Sequence, residues 1–127
     1  MPKTVRIILA LAAISGFISV ALGAFGAHGL KGKINESLFN AYQTGVQYQL
    51  YHTFILFVVA LLLLKGLHFS LLNTAAVLFA LGMVFFSGSL YWLAMGGPGW
   101  LGPVTPIGGL LLLCGWIVLC IAVCLSQ

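Results

Sequence analysis

Four long apolar stretches dominate the chain, and short connections rich in polar residues or glycine separate them. The stretches cover about residues 5–27, 43–64, 70–95 and 106–125. A bilayer core of about 30 Å needs roughly 20 apolar residues per helix, so each stretch is long enough to cross it. A helix also satisfies its own backbone hydrogen bonds in lipid. The pattern therefore predicts an all-α protein, an integral membrane four-helix bundle in one transmembrane domain over residues 1–127.

A mixed segment precedes the second apolar stretch and extends that predicted helix to residues 36–64. Its sequence, LFNAYQTGVQYQLYH, places aromatic and apolar side chains near helical spacing, which predicts an amphipathic lead-in that enters the membrane obliquely. Asn35 or Ser37 is suited to cap this helix, with Glu36 in its first turn. The fourth helix is predicted to begin with Thr105 and Pro106 as N-cap and first-turn residue.

The composition supports a membrane location. The chain is 62% hydrophobic and only 5% charged, whereas a soluble domain has roughly 25% charged residues. Five basic side chains and one acidic side chain cannot form the polar shell of a soluble protein. They lie near the ends of the apolar stretches, which suits phosphate headgroups and, without a dense basic stripe, predicts no nucleic-acid partner. We therefore expect a multi-pass protein of the cell inner membrane.

The basic residues also predict an orientation. In a protein that crosses the membrane four times, Lys3, Arg6 and Lys65 fall on one side, and Lys31 and Lys33 fall on the other. Three basic residues against two favour both termini in the cytoplasm by the positive-inside rule.

Small residues recur within three of the predicted helices. In the first helix they lie four residues apart, and further examples occur in the third and fourth helices. The candidates for helix packing are Ser15, Ser19, Gly23, Ala27, Gly82, Gly88, Gly108, Gly109 and Gly115. Small residues let membrane helices approach closely, so we interpret these positions as packing surfaces. The alternative is a substrate groove that the small residues line.

Polar side chains concentrate in the second helix and define a candidate site. Gln47, Tyr48, Gln49, Tyr51 and His52 lie there, and we expect them to face the third helix. The expected facing residues are Ser87, Ser89 and Tyr91. Polar groups at membrane depth are candidates for a ligand or proton site. The alternative is hydrogen bonding between helices, which requires no ligand.

The segment LGAFGAHGLK ends the first apolar stretch and contains a further candidate, His28. Gly29 is predicted to end the helix in a left-handed turn. That turn would hold His28 at the interface, hydrogen-bonded to a neighbouring helix or a carbonyl. His52 would lie about 13 Å deeper at ~1.5 Å per residue, too far for the two histidines to share a metal ion.

Chemical groups that enzymes need are scarce. Glu36 is the only side-chain carboxylate, so no paired acids and no Ser-His-Asp set can form. A phosphate-binding glycine loop is also absent from the sequence. Cys114, Cys120 and Cys124 lack CxxC spacing and are expected to be buried as small apolar side chains. We expect no enzymatic activity, no cofactor and no metal.

Several stretches together resemble a known family of small membrane proteins. They are AAISGFISVALGAFGAHGL, YQTGVQYQLYHT, FALGMVFFSGSLYWLAM and VTPIGGLLLLCGW. In order and over nearly the whole chain, they are similar to the domain-of-unknown-function 423 family, also called uncharacterised protein family 0382, and most similar to its bacterial inner-membrane members. The resemblance implies four transmembrane helices and no established activity.

These observations favour a non-enzymatic helical bundle with an assembly or partner-binding role. The expected partners are membrane lipids and either a second copy of the chain or another membrane protein. One alternative is a small transporter or channel that uses the polar cluster of the second helix, which requires a hydrated cavity. Another is a lipid-binding protein, which requires an apolar groove open to the bilayer with Lys31 or Lys33 near a headgroup.

Overall fold

The computed structural model describes residues 1–127 and contains four long helices. They are α1 (Lys3–Phe25), α2 (Glu36–Leu64), α3 (Phe69–Ala94) and α4 (Leu101–Leu125), and a π-helical turn, Gly26–Leu30, continues α1. All four helices are long and apolar enough to cross a membrane. The all-α membrane bundle predicted from the sequence is confirmed.

The helices pack mainly against their neighbours in sequence. α2 lies between α1 and α3, and α3 makes its most extensive contact with α4. One cluster of 15 buried apolar residues, including Ala12, Leu56, Phe79 and Leu112, holds the four helices together. The α1–α3 and α2–α4 pairs are not among the closely packed ones. Each of these two pairs therefore borders a groove that opens sideways.

Close contact between α3 and α4 depends on glycines. A Cβ atom added to Gly108 would lie 2.2 Å from the backbone nitrogen of Phe86. Added Cβ atoms at Gly82 and Gly115 would lie 2.6 Å and 2.7 Å from the side chains of Leu112 and Phe79. At these three positions glycine lets the two helices approach to a distance that no other residue allows.

Two other predicted packing glycines do not have this role. A Cβ at Gly109 would meet Phe86 at an ordinary 3.7 Å, and one at Gly88 would meet nothing within 4 Å. Gly109 lies beside the contact line that Gly108 occupies, since successive residues of a helix point about 100° apart. Gly88 instead lines the groove between α1 and α3.

The π-helical turn changes how α1 ends. The N–H of Lys31 donates to the carbonyl of Gly26 at 3.0 Å, which is the five-residue bond of a π-helix. The helix therefore continues past Gly29, and the residue with positive φ is Gly32, at 80°. The predicted left-handed turn at Gly29 was wrong for this reason.

The small residues of α1 face α2 only as far as the π-helical turn. Ser19 is buried, Ser15 is partly buried, and a Cβ at Gly23 would contact Val46 at 3.6 Å. Ala27 is exposed, so the prediction that it continues this packing face was wrong. The wider turn brings Gly26 to the face against α2 in its place, where an added Cβ would lie 2.6 Å from the ring of Tyr42.

One predicted helix start is confirmed and the other is not. The N–H of Leu38 donates to the side-chain oxygen of Asn35 at 2.8 Å, so Asn35 is the cap of α2 among the two predicted candidates, Asn35 and Ser37. α4 begins at Leu101, four residues before the predicted cap Thr105. Pro106 consequently lies inside the helix and removes one backbone donor. Pro103 does not prevent the earlier start, because the first N–H groups of a helix have no intrahelical partner.

The cysteines of α4 are exposed on its outer surface, and the expectation that they are buried was wrong. The face of α4 that packs against the bundle contains Gly108, Leu112, Gly115, Leu119 and Ala122. Because these residues recur every three or four positions, they occupy one side of the helix. The positions of all three thiols fall outside that side.

Candidate functional site

The side chain of Gln49 connects three helices near the middle of α2. Its amide nitrogen donates to the hydroxyl oxygen of Ser15 on α1 at 3.1 Å. Its amide oxygen accepts from the hydroxyl of Tyr91 on α3 at 2.6 Å. Gln49 is only 8% exposed. These bonds tie α1 and α3 to α2 in a region that the bilayer core would surround.

The donor in each neighbouring hydrogen bond can be assigned, because a hydroxyl group has only one proton to donate. The hydroxyl of Thr53 donates to the carbonyl of Gln49 at 2.8 Å. Ser15 must therefore donate to the hydroxyl oxygen of Thr53, which is 2.7 Å away. Ser19 donates to the carbonyl of Ser15 at 2.8 Å. We call Ser15, Ser19, Gln49, Thr53 and Tyr91 the polar clamp.

Two more hydroxyl groups join helices near the polar clamp. Tyr42 donates to the carbonyl of Leu22 on α1, and Ser87 on α3 donates to the carbonyl of Gly45 at 2.7 Å. No buried side-chain nitrogen or oxygen atom in the chain lacks a hydrogen-bond partner. The polar groups therefore stabilise helix contacts, and each buried one has a partner within the protein.

His52 belongs to a separate cluster that faces α4. Its Nδ1–H donates to the carbonyl of Tyr48 at 2.6 Å, and its Nε2 accepts from the indole N–H of Trp116 at 3.1 Å. This pair of bonds assigns the neutral tautomer with the proton on Nδ1. The ring also contacts Phe79, with 5.7 Å between ring centroids. Both ring nitrogens of His52 therefore have hydrogen-bond partners within the protein.

The α2 and α3 residues that were expected to form one site thus lie at several different helix contacts. Gln49, Ser87 and Tyr91 lie at the α1–α2–α3 contact, as expected for residues that face α3. Ser89 instead lies beside Thr105 of α4, with 2.5 Å between the two hydroxyl oxygens. Tyr48 stacks on Phe86 at a centroid distance of 4.9 Å and remains 40% exposed.

Three predicted site residues lie outside these clusters. Gln47 and Tyr51 are exposed, since two residues of helix turn them about 200° away from Gln49. His28 is exposed in the π-helical turn, where Gly26 and Leu30 are the inward-facing residues. The expected hydrogen bond from the His28 side chain, to a neighbouring helix or to a carbonyl, is not formed.

Thr53, Tyr42 and Trp116 also take part in these contacts, and none of them was predicted as a site residue. A signal existed for Thr53, because it lies four residues after Gln49 and hence on the same face of α2. Tyr42 also lies near this face, but an aromatic residue at the start of a membrane helix is more typical of the interface. No local signal pairs Trp116 with His52, which lies 64 residues earlier.

Two lateral grooves adjoin the polar residues. The α1–α3 groove has chambers of about 340 Å³ and 260 Å³ whose walls share Leu11, Leu56 and Ala80. The α2–α4 groove has a volume of about 490 Å³, and Tyr48 and Trp116 are among its lining residues. Both grooves are open and mainly apolar, because the polar atoms beside them bond to one another.

Comparison with known proteins is consistent with this architecture. The family model for a protein of unknown function, DUF423, matches residues 22–109. The chain is 44% identical to the UPF0382 membrane protein YwdK of Bacillus subtilis strain 168 over 117 aligned residues. The alignment covers 92% of this chain and 95% of that relative. It is 42% identical over 116 residues to the UPF0382 inner membrane protein YgdD of Escherichia coli strain K12, covering 91% and 88% of the two chains.

A third relative comes from another bacterium. The UPF0382 membrane protein of Haemophilus influenzae strain Rd is 44% identical over 111 residues, which are 87% of this chain and 88% of the relative. No solved structure matches the chain. The family match and the long alignments show that this chain belongs to the DUF423 family of uncharacterised multi-pass membrane proteins.

Proposed function

We propose that this protein is a non-enzymatic assembly protein of the inner membrane and that it associates with a second copy of itself through α1. The observation that carries the proposal is a smooth exposed surface on α1, which we call the alanine face. It consists of Ala10, Ala13, Phe17, Ala21 and Ala24, all of them exposed. These residues recur every three or four positions, so they form one stripe along the helix.

The shape of the alanine face is complementary to itself. Phe17, at 77% exposure, protrudes from the centre of the stripe, and two alanines lie on each side of it. A protruding ring flanked by small residues suits a two-fold pair in which each ring packs beside the partner's alanines. α1 is also the least buried of the four helices, and α2 is the one long helix on which it packs closely.

The other functions weighed from the sequence receive less support. A transporter or channel needs polar groups along a hydrated path, whereas the polar clamp is bonded internally. The acid-dependent enzymes considered from the sequence need paired acids or a Ser-His-acid set, and the only side-chain carboxylate, Glu36, lies 16 residues before His52 in α2. A non-enzymatic role in assembly requires neither property.

The alanine face makes a specific prediction for two matched variants. Ala21→Leu should lower the association constant about fivefold or more, because a bulky side chain at a helix contact costs about 1–3 kcal/mol. Ala27→Leu makes the same change at an exposed position beyond the end of α1, in the π-helical turn, and should leave association unchanged. Single-molecule photobleaching in liposomes, over a series of protein-to-lipid ratios, measures both constants. A monomer at every ratio, or equal behaviour of the two variants, would contradict the proposal.

The orientation proposed for the protein places both termini in the cytoplasm. The C-terminal residue Gln127 lies beside the α2–α3 turn that contains Lys65, and Lys3 begins α1 on the same side. In a background without cysteine, Gln127→Cys should react with a membrane-impermeant maleimide only after cell lysis. Ser37→Cys, at the exposed start of α2 on the other side, should react in intact spheroplasts. The reverse labelling pattern would contradict this orientation.

A further inference from the structure

The α1–α3 groove is long enough to cover a lipid chain within the membrane. Its two chambers are lined along α1 from Thr4 to Leu22, which is about 27 Å of helix at ~1.5 Å per residue. The shared wall residues, Leu11 among them, place the two chambers next to each other along α1. The groove therefore extends over nearly the whole hydrocarbon thickness of about 30 Å.

The size of the groove distinguishes between an acyl chain and a helix. The larger chamber holds about 340 Å³ and runs beside the α1 stretch from Leu11 to Leu22, which is about 16 Å long at ~1.5 Å per residue. An α-helix of that length, about 10 Å across with its side chains, occupies roughly 1,300 Å³. A single hydrocarbon chain, whose carbon atoms pack about 4 Å from their neighbours, occupies roughly 300 Å³. The chamber therefore has room for one acyl chain and cannot enclose a helix.

The end of the groove near the N-terminus is polar and basic. Thr4 and Asn73, both partly buried, line the smaller chamber there. Lys3 is exposed, precedes the lining residue Thr4 directly and lies one helical turn before the lining residue Ile7. Glu36, the only acidic side chain, begins α2 at the opposite end of the bundle. A positive charge with hydroxyl and amide donors is complementary to an anionic phosphate headgroup.

We propose that the α1–α3 groove binds one anionic phospholipid, with an acyl chain between α1 and α3 and its phosphate beside Lys3, Thr4 and Asn73. The lipid comes from the leaflet next to the N-terminus. No residue of the alanine face lines either chamber of this groove. Lys31 and Lys33, which the sequence suggested as headgroup ligands, lie at the other end of the groove.

Blocking the groove tests the proposal directly. The full-length protein, purified in detergent and stripped of lipid, is incubated with phosphatidylglycerol or phosphatidylcholine and studied by native mass spectrometry. One phosphatidylglycerol molecule should remain bound to each chain, and Ala80→Phe should reduce this retention at least tenfold. Leu81→Phe changes the next residue, which is exposed and lines neither chamber, and should retain the lipid.

Two further variants keep the test decisive. Gly88→Leu blocks the groove at a position where an added Cβ meets nothing within 4 Å, so it replaces Ala80→Phe if that variant does not fold. Lys3→Gln should weaken phosphatidylglycerol binding about fivefold, the effect of one basic residue near an anionic lipid, whereas Lys33→Gln should not. Unchanged retention in the blocked variants, or equal binding of the two lipids, overturns the proposal. So does a blocked variant that loses dimerisation instead of lipid, because a second copy would then be the occupant.

Discussion

Gly108→Ala should lower the free energy of unfolding by about 3 kcal/mol, at the upper end of the usual range for overpacking. The added Cβ would lie 2.2 Å from the backbone nitrogen of Phe86, and its next neighbours there are also backbone atoms. Because no side-chain rotation can remove a clash with backbone, α4 must move away from α3. That movement also weakens the contacts that Gly82 and Gly115 allow.

Gly109→Ala is the matched control for this prediction. It adds the same methyl group at the next residue, where the nearest atom lies at 3.7 Å. Its effect should stay within about 0.5 kcal/mol, since the contact is ordinary and alanine is the better helix former. Unfolding in mixed micelles with increasing fraction of sodium dodecyl sulfate, followed by circular dichroism, measures both variants. Equal stabilities would show that the α3–α4 contact does not depend on Gly108.

Gln49→Leu should cost about 2 kcal/mol of stability and loosen α1. The carboxamide of Gln49 makes three hydrogen bonds, two to Ser15 and one to Tyr91. Hydrogen bonds between membrane helices contribute about 0.6 kcal/mol each on average, and a buried hydroxyl left without its partner adds a further penalty. Gln47→Leu, at an exposed position of the same helix, should change stability by less than about 0.5 kcal/mol.

A double variant separates the hydrogen bonds from the packing. Tyr91→Phe in the Gln49→Leu background removes the hydroxyl that the first change leaves without an acceptor. The double variant should therefore recover part of the lost stability, because losing both partners costs less than losing one. The same mixed-micelle unfolding measurement applies. Additive losses from the two changes would mean that the bond between these residues contributes nothing.

The helices themselves could be predicted from the sequence. Long apolar stretches must be helical in lipid because no water is present to bond the backbone, so their number and approximate ends follow from hydropathy. Local chemistry also predicted the cap at Asn35, where a side chain meets the N–H group three residues later. Thr105 shows the limit of such signals. A threonine before a proline is a typical helix start, yet Leu101 is buried and α4 begins there.

The faces of the helices were harder to predict. In a soluble protein apolar residues mark the side that faces the core, but in a membrane they face both the core and the lipid. Polar residues retain some directional information, and Gln49, Ser87 and Tyr91 do lie together. Gln47 and Tyr51, two residues from Gln49, are exposed on the opposite side of α2. They are the same residue types as Gln49 and Tyr91, so residue type alone does not show which of them face inward.

The sequence by itself determined an all-helical membrane protein with four spans, because span length and lipid leave the backbone no alternative. Only the tertiary structure decided which glycines permit close contact, that Gln49 bridges three helices, and that α1 and α3 are separated by a groove. These features depend on contacts between residues far apart in the chain, such as Gln49 with Tyr91 and His52 with Trp116. Such contacts are set by the rotation and depth of each helix, and a nearly uniform apolar pattern encodes neither.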